Sequence, residues 1–114
     1  MSKISVAVPR ASRDALGVLG NQVKLARHNR GWTIAELAAR LSVNPRTVSA
    51  IESGAPTVSV GTVFNAAVLV GVELFGLTGP DLARARRAGE ETLALLPEKV
   101  RKPEVKDSAD DFAF

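Results

Sequence analysis

Between Gly31 and Gly54 the chain places Thr33, Asn44, Arg46, Thr47 and Ser49 within one short stretch. All five act by donating or accepting hydrogen bonds rather than by breaking covalent ones. Covalent chemistry has few candidates: His28 is the sole histidine, and Cys and Tyr are absent. No glycine-rich phosphate loop occurs either, so no nucleophile has a base to activate it, and no enzyme and no catalytic residues are expected. Without Cys there is no disulfide framework and no thiolate ligand, and one His cannot form a metal cage, so no metal and no cofactor are expected. His28 reads as an exposed helix residue rather than a ligand or pH sensor.

The elements that hold these residues are legible in the spacing. Leu16, Leu19, Val23 and Ala26 mark one apolar face of a helix from about Ser12 to Arg30, with Gly31 as its stop. Thr33-Ile34-Ala35-Glu36 fits a capping box, which starts a second helix at Ile34 that ends near Leu41. Asn44-Pro45 reads as an N-cap followed by proline at the first helical position, opening a third helix that closes at Ser53-Gly54. Two short helices joined by Ser42-Val43-Asn44 put Leu37, Ala38, Leu41, Val48 and Ile51 where a helix-turn-helix needs its core.

Ser59 caps a fourth helix through Val63, Ala66, Ala67 and Val70, which Gly71 ends. Glu73 to Leu77 is short and apolar and fits either a helical turn or a strand; Thr78-Gly79-Pro80 breaks the chain. The expected organisation is an N-terminal arm (1–11), a helix-turn-helix domain (12–77), a C-terminal helix (81–96) and a flexible charged tail (97–114). Within the arm, Ile4, Val6 and Val8 alternate with smaller residues, as in an edge strand or an extended segment.

Net charge is +3 and the isoelectric point about 9.8, a mild excess that permits an anionic partner. From Gly20 to Gly54, Lys24, Arg27, Arg30, Arg40 and Arg46 outnumber Glu36 and Glu52, whereas the last eight residues hold Asp107, Asp110 and Asp111 and no cation. No apolar run approaches the roughly 20 residues that span a bilayer, and the start lacks a signal-peptide core, so no membrane partner and a cytoplasmic location are expected.

Leu19-Gly20, Val23, Arg27, Gly31-Trp32-Thr33, Glu36-Leu37-Ala38, Val48, Ile51-Glu52 and Gly54 resemble the XRE family of phage-repressor-type regulators over roughly residues 16 to 75. The resemblance implies an all-α fold, a repressor-type bundle of five short helices to which the C-terminal helix is an addition. It makes Asn44 to Ser53 the recognition helix and pairs Arg27 with Glu52 in a buried salt bridge. Ser42 departs from the pattern, where the family usually has Gly in a left-handed conformation.

A major groove admits one α-helix, and the exposed side chains near its N-terminus reach base edges, here Arg46, Thr47, Ser49 and Ala50. Arg46 leads, because a guanidinium bonds guanine O6 and N7 together. Thr33 and Asn44, with the amides at both helix starts, are placed to hold phosphates, although Asn44 is equally a simple cap. Trp32 reads as core.

One helix-turn-helix makes few phosphate contacts, so a homodimer on a palindromic double-stranded DNA operator is expected. Leu69, Val72, Leu74, Phe75 and Leu77 form its preferred surface, with ordinary core as the alternative. Asp110, Asp111, Phe112 and Phe114 suit a tail that orders on a partner, or an inert one. Ser59-Val60-Gly61-Thr62-Val63-Phe64 and this tail are similar to antitoxins of the HipB group. That likeness implies an autorepressing antitoxin of a type II toxin-antitoxin operon, with a HipA-like kinase toxin as partner. The alternatives are a free-standing repressor and an interaction adaptor that does not bind DNA.

Overall fold

The computed structural model describes residues 7–103; the alternating segment before Ala7 and the tail residues Asp110, Asp111, Phe112 and Phe114 lie outside them. The chain divides into two units, one through Gly79 and one from Pro80.

The first helix, α1 (Arg10–Asn29), starts directly after Pro9 and buries Gly20, Val23 and Arg27, a stripe at spacings of three and four residues. Its start lies two residues earlier than the apolar pattern alone marks. The second and third helices, α2 (Ile34–Leu41) and α3 (Pro45–Glu52), carry eight residues each. Helices so short are unstable alone, so their order comes from packing against α1 and α4 (Val60–Val70). Val23, Leu37, Ala38, Val48, Ile51, Ala66, Ala67 and Val70 make the core, with Leu37, Val23 and Val48 sealed from solvent.

Two close approaches seat α3 on α1. A Cβ on Gly20 would lie 2.6 Å from the Ile51 carbonyl oxygen and 2.7 Å from that of Glu52, so only glycine lets the two backbones meet there. Gly54, with φ of 76°, turns the chain out of α3 against the backbone of Leu16 and Gly17.

The joint between α2 and α3 turns at Ser42, whose φ of 56° and ψ of 44° are left-handed. A side chain there costs about 1 kcal/mol relative to glycine, partly offset by the greater freedom of glycine in the unfolded chain. Ser42→Gly is therefore expected to stabilise the domain by up to roughly 0.5 kcal/mol, read as about two to four degrees in melting temperature. An unchanged or lower melting temperature would show that the seryl Cβ carries no strain there.

After Gly71 ends α4 in a left-handed conformation, the Glu73 to Leu77 segment is neither a fifth helix nor a full strand. Phe75 and Gly76 have φ of 56° and 68°, and two left-handed residues in succession reverse the chain, so that Leu77 N–H donates to Leu74 C=O at 3.0 Å. Among the described residues the unit through Gly79 thus holds four complete helices, and the fifth is the C-terminal one.

That helix, α5 (Gly79–Leu93), begins ahead of Asp81 because Pro80 fits a first turn, where no amide is needed. It ends before Leu96, as Leu95 and Leu96 N–H donate to carbonyls three residues back and tighten the last turn. None of its residues is buried.

Candidate nucleic-acid interface

Local capping fixes where α2 and α3 begin. Thr33 Oγ1 accepts from Glu36 N–H at 3.1 Å while Thr33 N–H donates to Glu36 Oε1 at 3.1 Å. Those bonds with Thr33 hold the Glu36 carboxyl below its ordinary pKa, the backbone N–H contributing most. At α3, Asn44 Oδ1 accepts from Arg46 N–H at 2.8 Å, and Pro45 fills the next position without an amide.

Capping also decides which donors stay available. Arg46 N–H is committed to Asn44, Thr47 N–H donates to Asn44 C=O, and Pro45 has none, so the start of α3 offers an anion little. The start of α2 keeps the Ile34 and Ala35 amides and the Thr33 hydroxyl proton, with Thr33 exposed.

The burial of Val48, Ile51 and Glu52 sets the rotation of α3. Arg46 and Ser49 are exposed, and Thr47 and Ala50 half-buried on its flanks. Ser53, one turn beyond Ser49, continues the exposed face and donates its hydroxyl to Ala50 C=O.

Rotation is locked from below by Arg27 and Glu52. Arg27 Nε donates to Glu52 Oε2 at 2.6 Å and Nη2 to Oε1 at 2.9 Å, a bidentate pair with both side chains buried. Arg27 Nη1 also donates to Trp32 C=O at 2.8 Å, tying α1 to the segment leading into α2. The hydrogen bond to Glu52 raises the Arg27 pKa against the opposing effect of burial, so the guanidinium stays charged.

The remaining basic residues divide by role, in a way the charge count does not show. Arg30 Nε donates to Val70 C=O at 3.0 Å, closing the C-terminus of α4. Half-buried Trp32 carries the Arg40 guanidinium 4.1 Å from its ring centroid and that of Arg30 at 5.3 Å. The tryptophan is thus the seat of a cation-π cluster at the edge of the core. Within the block from Gly20 to Gly54, Lys24 and Arg46 remain as exposed cations for which no such structural partner is seen.

A helix-turn-helix domain family matches residues 18–85, more than half of the chain. The chain belongs to this helix-turn-helix family. Comparisons with curated proteins and with solved structures return no match. In the family's terms α2 and α3 are the paired helices, held by α1 beneath and α4 beside them. Helix-turn-helix domains are DNA-binding modules. No helix among the described residues is long and apolar enough to cross a membrane, and no three His, Asp or Glu side chains among them gather as a possible metal site.

Of the residues assigned to a dimer surface, Phe75 is the most open at 78% exposure and Leu69 is 37% exposed, while Val72 and Leu77 are half-buried. Leu74 turns into the chain's own core at 8% exposure, where the reversal at Phe75-Gly76 points it inward. Phe75 packs edge-on against Phe64, with ring centroids 6.0 Å apart.

Two roles are not assigned by the sequence, although Gly20 stands among the residues that carry the family resemblance. Gly20 signals itself by occupying a helix interior, where glycine costs about 1 kcal/mol against alanine, so a close backbone contact is the reason to suspect. The partner of Arg30 leaves no such signal, since Val70 lies 40 residues away.

Proposed function

We propose that the chain is a sequence-specific transcriptional regulator that lays α3 in the major groove of duplex DNA. The observation that carries this reading is the division of α3. One face is fixed by Val48, Ile51 and the Arg27–Glu52 pair, and the other presents Arg46 and Ser49 to solvent near the helix start. A helix whose buried face is locked is preorganised in its backbone for reading base edges, so the order to be gained on binding is chiefly that of the Arg46 side chain at its leading end.

Arg46 reads a guanine, Ser49 and the flanking Thr47 and Ala50 add weaker contacts, and the α2 start with Thr33 holds a phosphate. Asn44 spends its side-chain oxygen on capping, so its amide nitrogen is what remains for DNA. Two copies, joined through Phe75 and Leu69, bind half-sites about one helical turn apart on a palindromic operator.

Binding selection from a random DNA pool tests the reading. Wild-type protein enriches a two-fold symmetric site with an invariant guanine, and Arg46→Ala lowers discrimination at that position about tenfold to a hundredfold. Equal weakening on every sequence would demote Arg46 to a phosphate contact.

The antitoxin subtype draws no support from the fold. Ser59 Oγ accepts from Thr62 N–H, so the Ser59 to Phe64 motif is accounted for as the cap and first turn of α4.

A further inference from the structure

The α5 helix presents an unexplained face. Leu82, Ala85, Gly89 and Leu93 follow one another at spacings of three and four residues, and Leu96 continues the row in the tightened turn. Leu93 is 65% and Leu96 58% exposed, and a 15-residue helix with no buried side chain is marginal in water. The charges are divided along the helix: before Gly89 lie Arg84, Arg86 and Arg87 with the single anion Asp81, which pairs with Arg84, and after it lie Glu90 and Glu91, so the first half stays net cationic and the second anionic.

We propose that α5 is a self-association helix on which two copies of the chain pair antiparallel, crossing at Gly89. The numbering about Gly89 is symmetric, so Leu82 of one copy meets Leu96 of the other and Ala85 meets Leu93. The space around the Gly89 Cβ position is empty in the protomer, and glycine at the crossing lets the helices approach closely.

Charge selects this occupant and this direction. Antiparallel pairing sets the cationic half of each helix beside the anionic half of its partner, whereas parallel pairing sets like beside like. Arg86 and Glu90, one turn apart on one flank and linked within the helix at 3.5 Å, then lie within two residues, about 3 Å along the axis, of their exchanged equivalents across the two-fold axis, within reach of their long side chains. This pairing is independent of DNA reading and of the Phe75 surface.

The absence of cysteine makes the test direct. Full-length Ala85→Cys and Leu93→Cys, purified separately, mixed and oxidised, are expected to give the mixed disulfide in clear excess over either homodimer. In parallel, sedimentation of Arg86→Glu alone and of Glu90→Arg alone should show association weakened about tenfold, and an equimolar mixture should restore it. Restoration in the mixture cannot arise within one helix.

Dominant homodisulfides would overturn the antiparallel direction. A chain whose mass and cross-linking ignore all four variants would overturn the proposal outright. A dimer that persists without the mixed disulfide assigns dimerisation to the Phe75 surface, and leaves the DNA reading intact.

Discussion

Arg27→Ala is expected to lower the melting temperature by roughly 15–30 °C. Removing the guanidinium leaves the Glu52 carboxylate buried at 9% exposure without the two donors that now satisfy it. Stranding one member of a buried pair costs about 3–5 kcal/mol, a large share of the 5–15 kcal/mol that keeps a domain folded. The loss also frees Trp32 C=O from Arg27 Nη1.

Arg27→Lys should recover little, because an ammonium cannot reproduce two parallel bonds to a carboxylate. Arg27→Met with Glu52→Leu should recover much of the stability, since the buried charge then goes with its partner. Calorimetry on the three variants checks the account. A shift of only a few degrees for Arg27→Ala would mean that water, not Arg27, satisfies Glu52.

Gly20→Ala is the second change with a large expected effect. The new Cβ would sit 2.6 Å and 2.7 Å from two carbonyl oxygens at the end of α3, and backbone atoms cannot rotate away as a flexible side chain would. Either α1 and α3 separate or the last turn of α3 deforms, at a cost on the order of 3 kcal/mol. This outweighs the gain of about 1 kcal/mol that alanine brings to a helix interior.

The same helix supplies the control. Gly17 has nothing near its Cβ position, so Gly17→Ala should stabilise by up to about 1 kcal/mol. Opposite signs for these two neighbouring substitutions in thermal melts are the expected outcome. The same sign for both would contradict the close approach at Gly20.

Local chemistry was legible in the sequence because its partners are neighbours in the chain. Thr33 with Glu36, Asn44 with Pro45, Ser59 and Gly71 each mark a helix boundary within a few residues, and the observed boundaries follow them. The turn at Phe75 was not legible, because a phenylalanine at φ of 56° contradicts the usual preference for Gly or Asn. Its geometry is set by Gly76 beside it, with Phe64 packed against the aromatic ring.

Charge was legible only as a total. The basic block from Gly20 to Gly54 suggested a cationic surface, yet Arg27 is buried, Arg30 closes α4 and Arg40 lies on Trp32. Arg46 remains at the start of α3, so the candidate site depends on one guanidinium in a defined position more than on net charge. Leu74 illustrates the same limit for apolar residues, since only the chain reversal decides that it faces inward while Phe75 faces out.

Whether α3 reads sequence is decided by fluorescence anisotropy of the full chain on DNA from its own promoter, against a shuffled duplex at two salt concentrations. A helix that reads bases gives preference for the promoter by about a thousandfold or more, with both affinities falling steeply as salt rises. Equal binding to both duplexes at both salt concentrations, or none, would contradict it and favour an interaction adaptor built on the same helices.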